Sequence, residues 1–112
     1  MPGSPRVCVI VNPAAGRGRG ARALPAVTAA FAAVGVTDIR QSTEREGEAV
    51  VAARAIDEGC DTLVAVGGDG TWSNVANAIL RSGADSRLAL IAAGTGNDFA
   101  KTVIISPQKQ EE

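Results

Sequence analysis

Between Leu63 and Asn74 the chain reads Leu-Val-Ala-Val-Gly-Gly-Asp-Gly-Thr-Trp-Ser-Asn, and these residue types at this spacing could do chemistry. Gly67, Gly68 and Gly70 have no Cβ, so the backbone can take positive φ there and come within hydrogen-bonding distance of a phosphate. A helical pattern starts directly after them. The first N–H groups of a helix are unpaired and carry the positive end of its dipole, so an anion is favoured at that point. Asp69 repels a phosphate unless a Mg²⁺ ion or a proton stands between them, an arrangement that phosphoryl transfer uses. The plainer alternative is that Asp69 or Thr71 caps the helix and the glycines make a turn. Three glycines around one acid exceed what a cap requires, which favours a functional loop.

Further segments have comparable composition. Asn12-Pro13-Ala14-Ala15-Gly16 follows a first apolar run, and the chain from Ala14 to Gly20 is small and glycine-rich, with Arg17, Arg19 and Arg22 able to neutralise a phosphate. A flexible, solvated connection explains the same arginines. Gly16, Gly18 and Ala21 also spell the dinucleotide pattern G-x-G-x-x-A, with Asp38 at about the spacing of a ribose-binding acid. Asn12 to Ala15 separate the strand from the first glycine, however, and Pro25 delays the helix, which argues against that fingerprint. Gly94-Thr95-Gly96-Asn97-Asp98-Phe99-Ala100 closes a later apolar run, Leu88 to Ala93.

The pentapeptide Gly67 to Thr71 resembles the nucleotide loop of the diacylglycerol kinase and NAD kinase superfamily. Gly94 to Ala100 resembles the second signature of diacylglycerol and related lipid kinases, and argues against the NAD kinase branch. Asn12 to Gly16 and the spacing of the motifs fit the lipid kinases as well. The resemblance runs from Val7 to about Lys101, the first part of a typical member. It implies ATP as donor, Mg²⁺ as companion ion, and a lipid hydroxyl such as that of diacylglycerol as acceptor. Carried over, it implies that Asn12, Pro13, Ala14, Ala15 and Gly16 hold the nucleotide's phosphates and ribose together with Gly67, Gly68, Asp69, Gly70, Thr71, Trp72 and Ser73. Thr43 and Thr95 are implied as further contacts, Asp69 as the residue that helps place the metal, and Asn97 and Asp98 as braces of their loop. Ser73, Asn74 and Ala92 depart from residues common in relatives.

The elements that must position these residues follow from periodicity. The run Arg6 to Val11, apolar after Arg6, predicts a parallel strand covered on both faces, Val36 to Gln41 is expected as the second strand, and the apolar runs Thr62 to Val66 and Leu88 to Ala92 predict the third and fourth. Pro25 is tolerated in a first helical turn and so predicts a helix from Arg22 to Leu24 onward, with Leu24, Val27, Phe31 and Val34 as its apolar face and Gly35 as its stop. Thr43 and Glu46 have the spacing of a capping box for a helix to Glu58, with Ala49, Val50, Ala53 and Ile56 buried and Gly59 ending it. Trp72, Val75, Ala76, Ile79 and Leu80 repeat at helical spacing before Gly83. Trp72 therefore reads as core, with stacking on a base as the alternative.

Strands alternating with helices predict an α/β fold, a three-layer parallel sheet with helices on both faces. Ligands of such sheets bind beyond the strands' carboxyl ends, where Asn12 to Gly16, Thr43, Gly67 to Ser73 and Gly94 to Asp98 would all fall.

The chain has 112 residues, 46% of them hydrophobic and 21% charged, which indicates one globular domain rather than disorder. Residues 1–102 are expected to form the nucleotide-binding domain and 103–112 a polar tail. A net charge of −1 removes the electrostatic case for nucleic acid. Cys8 and Cys60 have no paired metal or redox spacing and suit a reducing cytoplasm. The sequence shows no secretory leader and no membrane-spanning run, so contact with a bilayer is expected to be transient. The second, β-rich domain of the lipid kinases is not recognised, so this chain is expected to bind nucleotide without catalysis and to be prone to self-association.

Overall fold

The computed structural model describes residues 6–92 and the strand Val103–Ile105. The element order is β1 (Val7–Val11), α1 (Ala15–Ala32), β2 (Ile39–Gln41), α2 (Glu48–Asp57), β3 (Thr62–Gly67), α3 (Asp69–Ser82), β4 (Arg87–Ala92) and β5 (Val103–Ile105). The sheet order is β2-β1-β3-β4-β5. The first four strands are parallel, and β5 adds antiparallel beside β4 at the edge.

Strand β1 shows why the apolar runs do not alternate. Cys8 and Ile10 point into a core shared with Val51, Ala52 and Ala55 of α2 and Val75, Ala78 and Ile79 of α3. Val9 and Val11 point the other way, against Val27, Leu24 and Phe31 on α1. A strand covered on both sides needs apolar residues at every position. Ile10 is fully buried, so its truncation to Ala is worth about 2–5 kcal/mol.

Because each crossover is right-handed, the step from β1 to β2 places α1 on one face and the steps in the other direction place α2 and α3 on the opposite face. The chain reverses its direction across the sheet between β1 and β3, and the loops leaving their carboxyl ends diverge from a shared crevice.

Three helix assignments differ from those read in the sequence. The span of α1 opens with left-handed backbone at Gly16 to Gly18, and its regular part, from Arg19 onward, still begins earlier than expected and carries Pro25 inside it. The Ala21 N–H reaches back to the Pro13 carbonyl (3.0 Å), so the loop itself starts the helix well before the proline. Val34 lies beyond the last turn and is exposed. Helix α2 is capped by Gly47 without any side-chain bond. The Thr43 hydroxyl accepts from the Glu46 N–H (2.9 Å) and the Thr43 N–H donates to the Glu46 carbonyl (2.8 Å), closing a separate turn ahead of the helix. Helix α2 is also rotated from the expected face, burying Glu48, Val51, Ala52 and Ala55 while Val50 is exposed. On α3, Leu80 is exposed and Thr71 and Ala78 are buried in its place.

At the amino end of the sheet, Arg40 pairs with Asp38 (2.9 Å) and with Glu58 (2.6 Å), and Arg6 donates through its guanidinium to the Glu58 carbonyl. Asp38 therefore lies at the edge opposite the loops, in an ion pair, which removes the ribose-binding role that a dinucleotide site would require. None of the described helices is long and apolar enough to cross a membrane.

Candidate functional site

Three loops meet at the carboxyl edge. The Asn12 N–H donates to the Val66 carbonyl (3.3 Å) and the Ser42 N–H to the Val11 carbonyl (3.0 Å), so the ends of β1, β2 and β3 are stitched side by side. The Asn12 side chain bridges two partners. Its Oδ1 accepts from the Ala14 N–H (2.9 Å), folding the loop into a turn, and its amide donates to Glu48 Oε2 (2.6 Å).

Glu48 joins these loops. It is 7% exposed, and it accepts also from the Thr71 hydroxyl (3.0 Å) and the Asn74 amide (3.1 Å). Burial pushes its carboxyl up, but its own backbone N–H and the three side-chain donors outweigh this and hold it below its ordinary value. A single ionised carboxylate thus fixes the loop after β1 and the first turns of α3 from a third element, α2. Sequence reasoning missed it, because a glutamate on a helix reads as solvent-facing. The available signal was its place as the acidic member of the first turn of α2, directly after the Gly47 cap.

The glycine loop works differently from expectation. Gly67, Gly68 and Gly70 do not adopt positive φ. Gly68 is the N-cap of α3 in extended conformation (φ −117°), with no side-chain cap, so neither Asp69 nor Thr71 caps the helix. Gly67 is required by packing, since a Cβ there would lie 2.5 Å from Thr71 Oγ1. At Gly68 and Gly70 a Cβ would meet nothing within 4 Å, and both are exposed, so a ligand can reach the helix start across open space. Asp69 is exposed beside them and makes no hydrogen bond or ion pair among the described residues. An exposed carboxylate next to free helix N–H groups is a donor set that fits a hard, hydrated cation carrying phosphate.

Left-handed backbone occurs instead in the loop after β1. Gly16, Arg17 and Gly18 have φ of 60°, 60° and 92°, one left-handed turn before the regular helix. Gly20 then passes so close to Asn12 that a Cβ would sit 1.9 Å from its carbonyl oxygen. Arg17, Arg19 and Arg22 are exposed and have no ion-pair partner among the described residues.

The structure therefore brings together Asn12, Pro13, Ala14, Ala15, Gly16, Gly67, Gly68, Asp69, Gly70 and Thr71 around the crevice between β1 and β3. Thr43 stands on the adjoining loop after β2 and Ser73 is exposed on α3. Trp72 packs against the core formed with α2, and its buried indole N–H has no partner among the described residues. Thr95, with Gly94, Gly96, Asn97 and Asp98, lies outside the described residues. A cavity of about 520 Å³ lies at the opposite end of the strands, lined by residues such as Gly59, Cys60, Asp61 and Arg87. None of its lining residues belongs to the glycine loops.

Residues 6–112 match the model of the diacylglycerol kinase catalytic domain. Among individual proteins, the chain is 36% identical over 96 residues to a diacylglycerol kinase of Staphylococcus haemolyticus, covering 85% of this chain and 29% of that protein. It is 35% identical over 99 residues to the one from Staphylococcus saprophyticus, covering 88% and 32%. A Staphylococcus aureus diacylglycerol kinase matches at 36% over 101 residues, covering 89% and 32%. The chain thus spans about a third of the length of these relatives.

Proposed function

The chain belongs to the diacylglycerol kinase catalytic domain family, a family of lipid kinases, and on that premise we propose that its carboxyl edge is the ATP-binding part of a site for phosphoryl transfer to a lipid hydroxyl. The observation that carries this reading is the Glu48 clamp. By holding Asn12, Thr71 and Asn74 it fixes the loop after β1 and the start of α3 while leaving Gly68 to Gly70 open. A rigid frame around exposed N–H groups supplies the preorganised electrostatics that phosphoryl transfer needs.

In this reading the start of α3 receives the phosphates, the left-handed turn at Gly16 to Gly18 and the arginines beside it wrap them, and Thr43 borders the nucleotide. Asp69 holds the magnesium ion that travels with ATP. That ion supplies charge neutralisation on the transferred group. Diacylglycerol or a related lipid is the acceptor, approached from the cytoplasmic side by transient contact with the bilayer. Thr95 is proposed as a further nucleotide contact.

The test is calorimetric titration of the chain with ATP in the presence and absence of Mg²⁺, repeated with Asp69→Asn. Binding that strengthens with Mg²⁺ in the parent and loses that dependence in the variant supports the reading. Absence of nucleotide binding by the folded chain sinks it.

A further inference from the structure

Cys8, near the start of the sequence, and Cys60, in its second half, have no motif spacing, yet the fold places them side by side at the amino end of the sheet. Cys8 is in β1, Cys60 lies two residues before β3, and Asp38 directly precedes β2. One donor atom from each of the three lies within 4.8 Å of the others, and both thiols are free and buried. We propose that Cys8, Cys60 and Asp38 form a binding site for a thiophilic divalent cation of the Zn²⁺ type.

The donor set carries the choice of ion. Two thiolates with one carboxylate suit zinc, which takes sulfur and oxygen donors in tetrahedral array, whereas magnesium and calcium take oxygen donors. Separations below 4.8 Å are within the span of ligands sharing a small ion. A water molecule completes the fourth position. Binding displaces the two thiol protons to solvent, so the two thiolates balance the dication.

The surroundings fit as well. Arg40 donates to both oxygens of Asp38 (2.9 and 3.0 Å) and is held in turn by Glu58, which orients the carboxylate. Each carboxylate oxygen keeps a second lone pair for the ion. The Asp38–Arg40 pair is neutral as a unit, so the guanidinium does not leave an uncompensated positive charge beside the cation. Cys60 forms part of the wall of the cavity of about 520 Å³. An ion here would tie together the starts of β1, β2 and β3, at the end of the sheet remote from the glycine loops. The proposal is independent of the nucleotide reading.

The experiment uses the full chain, kept reduced with a phosphine and titrated with Zn²⁺ against a chromophoric chelator. Co²⁺ serves as the spectroscopic probe. Expected are one ion per chain, a thiolate-to-cobalt charge-transfer band and a rise in melting temperature with Zn²⁺. Cys60→Ser should remove the band and weaken zinc binding at least about tenfold, and Asp38→Asn should weaken it about tenfold. Circular dichroism of both variants checks that they fold. Should Cys60→Ser unfold, Asp38→Asn together with the parent's charge-transfer band decides alone. Absence of that band in the reduced parent overturns the proposal, as does unchanged zinc affinity in either folded variant. Oxidation of the two thiols to a disulfide, with no ion bound in the reduced state, also overturns it and marks a redox pair.

Discussion

The loops after β1 and β3 both carry glycines, both face the crevice between the two strands, and look alike in composition. They are built on opposite principles. The first is left-handed from Gly16 to Gly18 and strains a non-glycine residue, Arg17, at φ 60°. The second has no positive φ, and its exposed glycines leave space rather than bend the chain. Between them Glu48 binds both, through Asn12 on one side and Thr71 and Asn74 on the other. Glycine content alone therefore says that backbone is accessible, not how. The conformation decides which glycines serve turning, which close packing and which approach by a ligand.

The strongest way to break the first loop is Gly20→Ala. A Cβ 1.9 Å from the Asn12 carbonyl oxygen cannot be absorbed by a flexible side chain, because the obstacle is backbone. The helix start or the Asn12 turn must move, at a cost of about 3 kcal/mol or more. Denaturant unfolding measures it. A loss below 1 kcal/mol would show that the close approach is not a packing constraint.

Next in size is the link between the loops. Glu48→Gln keeps the volume but turns an acceptor into a donor among donors, and should cost about 1–3 kcal/mol. The pH dependence distinguishes this from a packing defect. The folded carboxyl has its pKa below the ordinary 4.5, so the unfolded chain takes up the proton first. The stabilisation is complete above that unfolded value and is lost as pH falls through the folded one. Melting temperatures of parent and variant should therefore converge on acidification. Parallel curves would remove the carboxylate from the account.

These residues show which parts of the design were legible. The parallel strands could be read because β1, β3 and β4 are apolar runs followed by turn-forming residues, Asn12-Pro13 after β1 and glycines after β3 and β4, and strand ends in such a sheet locate the crevice. The rotation of α2 could not, because its inward face begins with a glutamate whose partners Asn12, Thr71 and Asn74 are distant in sequence. The early start of α1 was hidden by Pro25, which argues for a first turn. The bond from the Ala21 N–H to the Pro13 carbonyl is tertiary and overrides it. Cys8, Asp38 and Cys60 were separated for the same reason, since only the side-by-side order of β2, β1 and β3 brings them together.

A change in the second loop should separate folding from binding. Gly68 has extended backbone and empty surroundings, so Gly68→Val is sterically permitted, and the poorer N-cap should cost about 1 kcal/mol or less. The new side chain would occupy the space before the helix N–H groups. Nucleotide affinity should fall about tenfold or more, corresponding to about 1.4 kcal/mol. Unchanged affinity in the folded variant would mean that phosphate does not approach there.

The smallest change asks whether the strain in the first loop is real. Arg17 in the left-handed region costs about 1–2 kcal/mol relative to ordinary backbone, and Gly removes that penalty while adding about 0.5–1 kcal/mol of unfolded-state entropy. Arg17→Gly should therefore stabilise the chain by about 0.5–1 kcal/mol. Arg22→Gly, in the regular part of α1, should do the opposite by about 1 kcal/mol. The pair differs in conformation rather than composition, so opposite signs isolate the backbone contribution. If Arg17 also contacts phosphate, nucleotide affinity will drop in the variant that became more stable, a combination that a purely structural residue would not produce. Destabilisation by Arg17→Gly as large as by Arg22→Gly would show that the turn carries no strain, and the contrast between the two loops would reduce to shape alone.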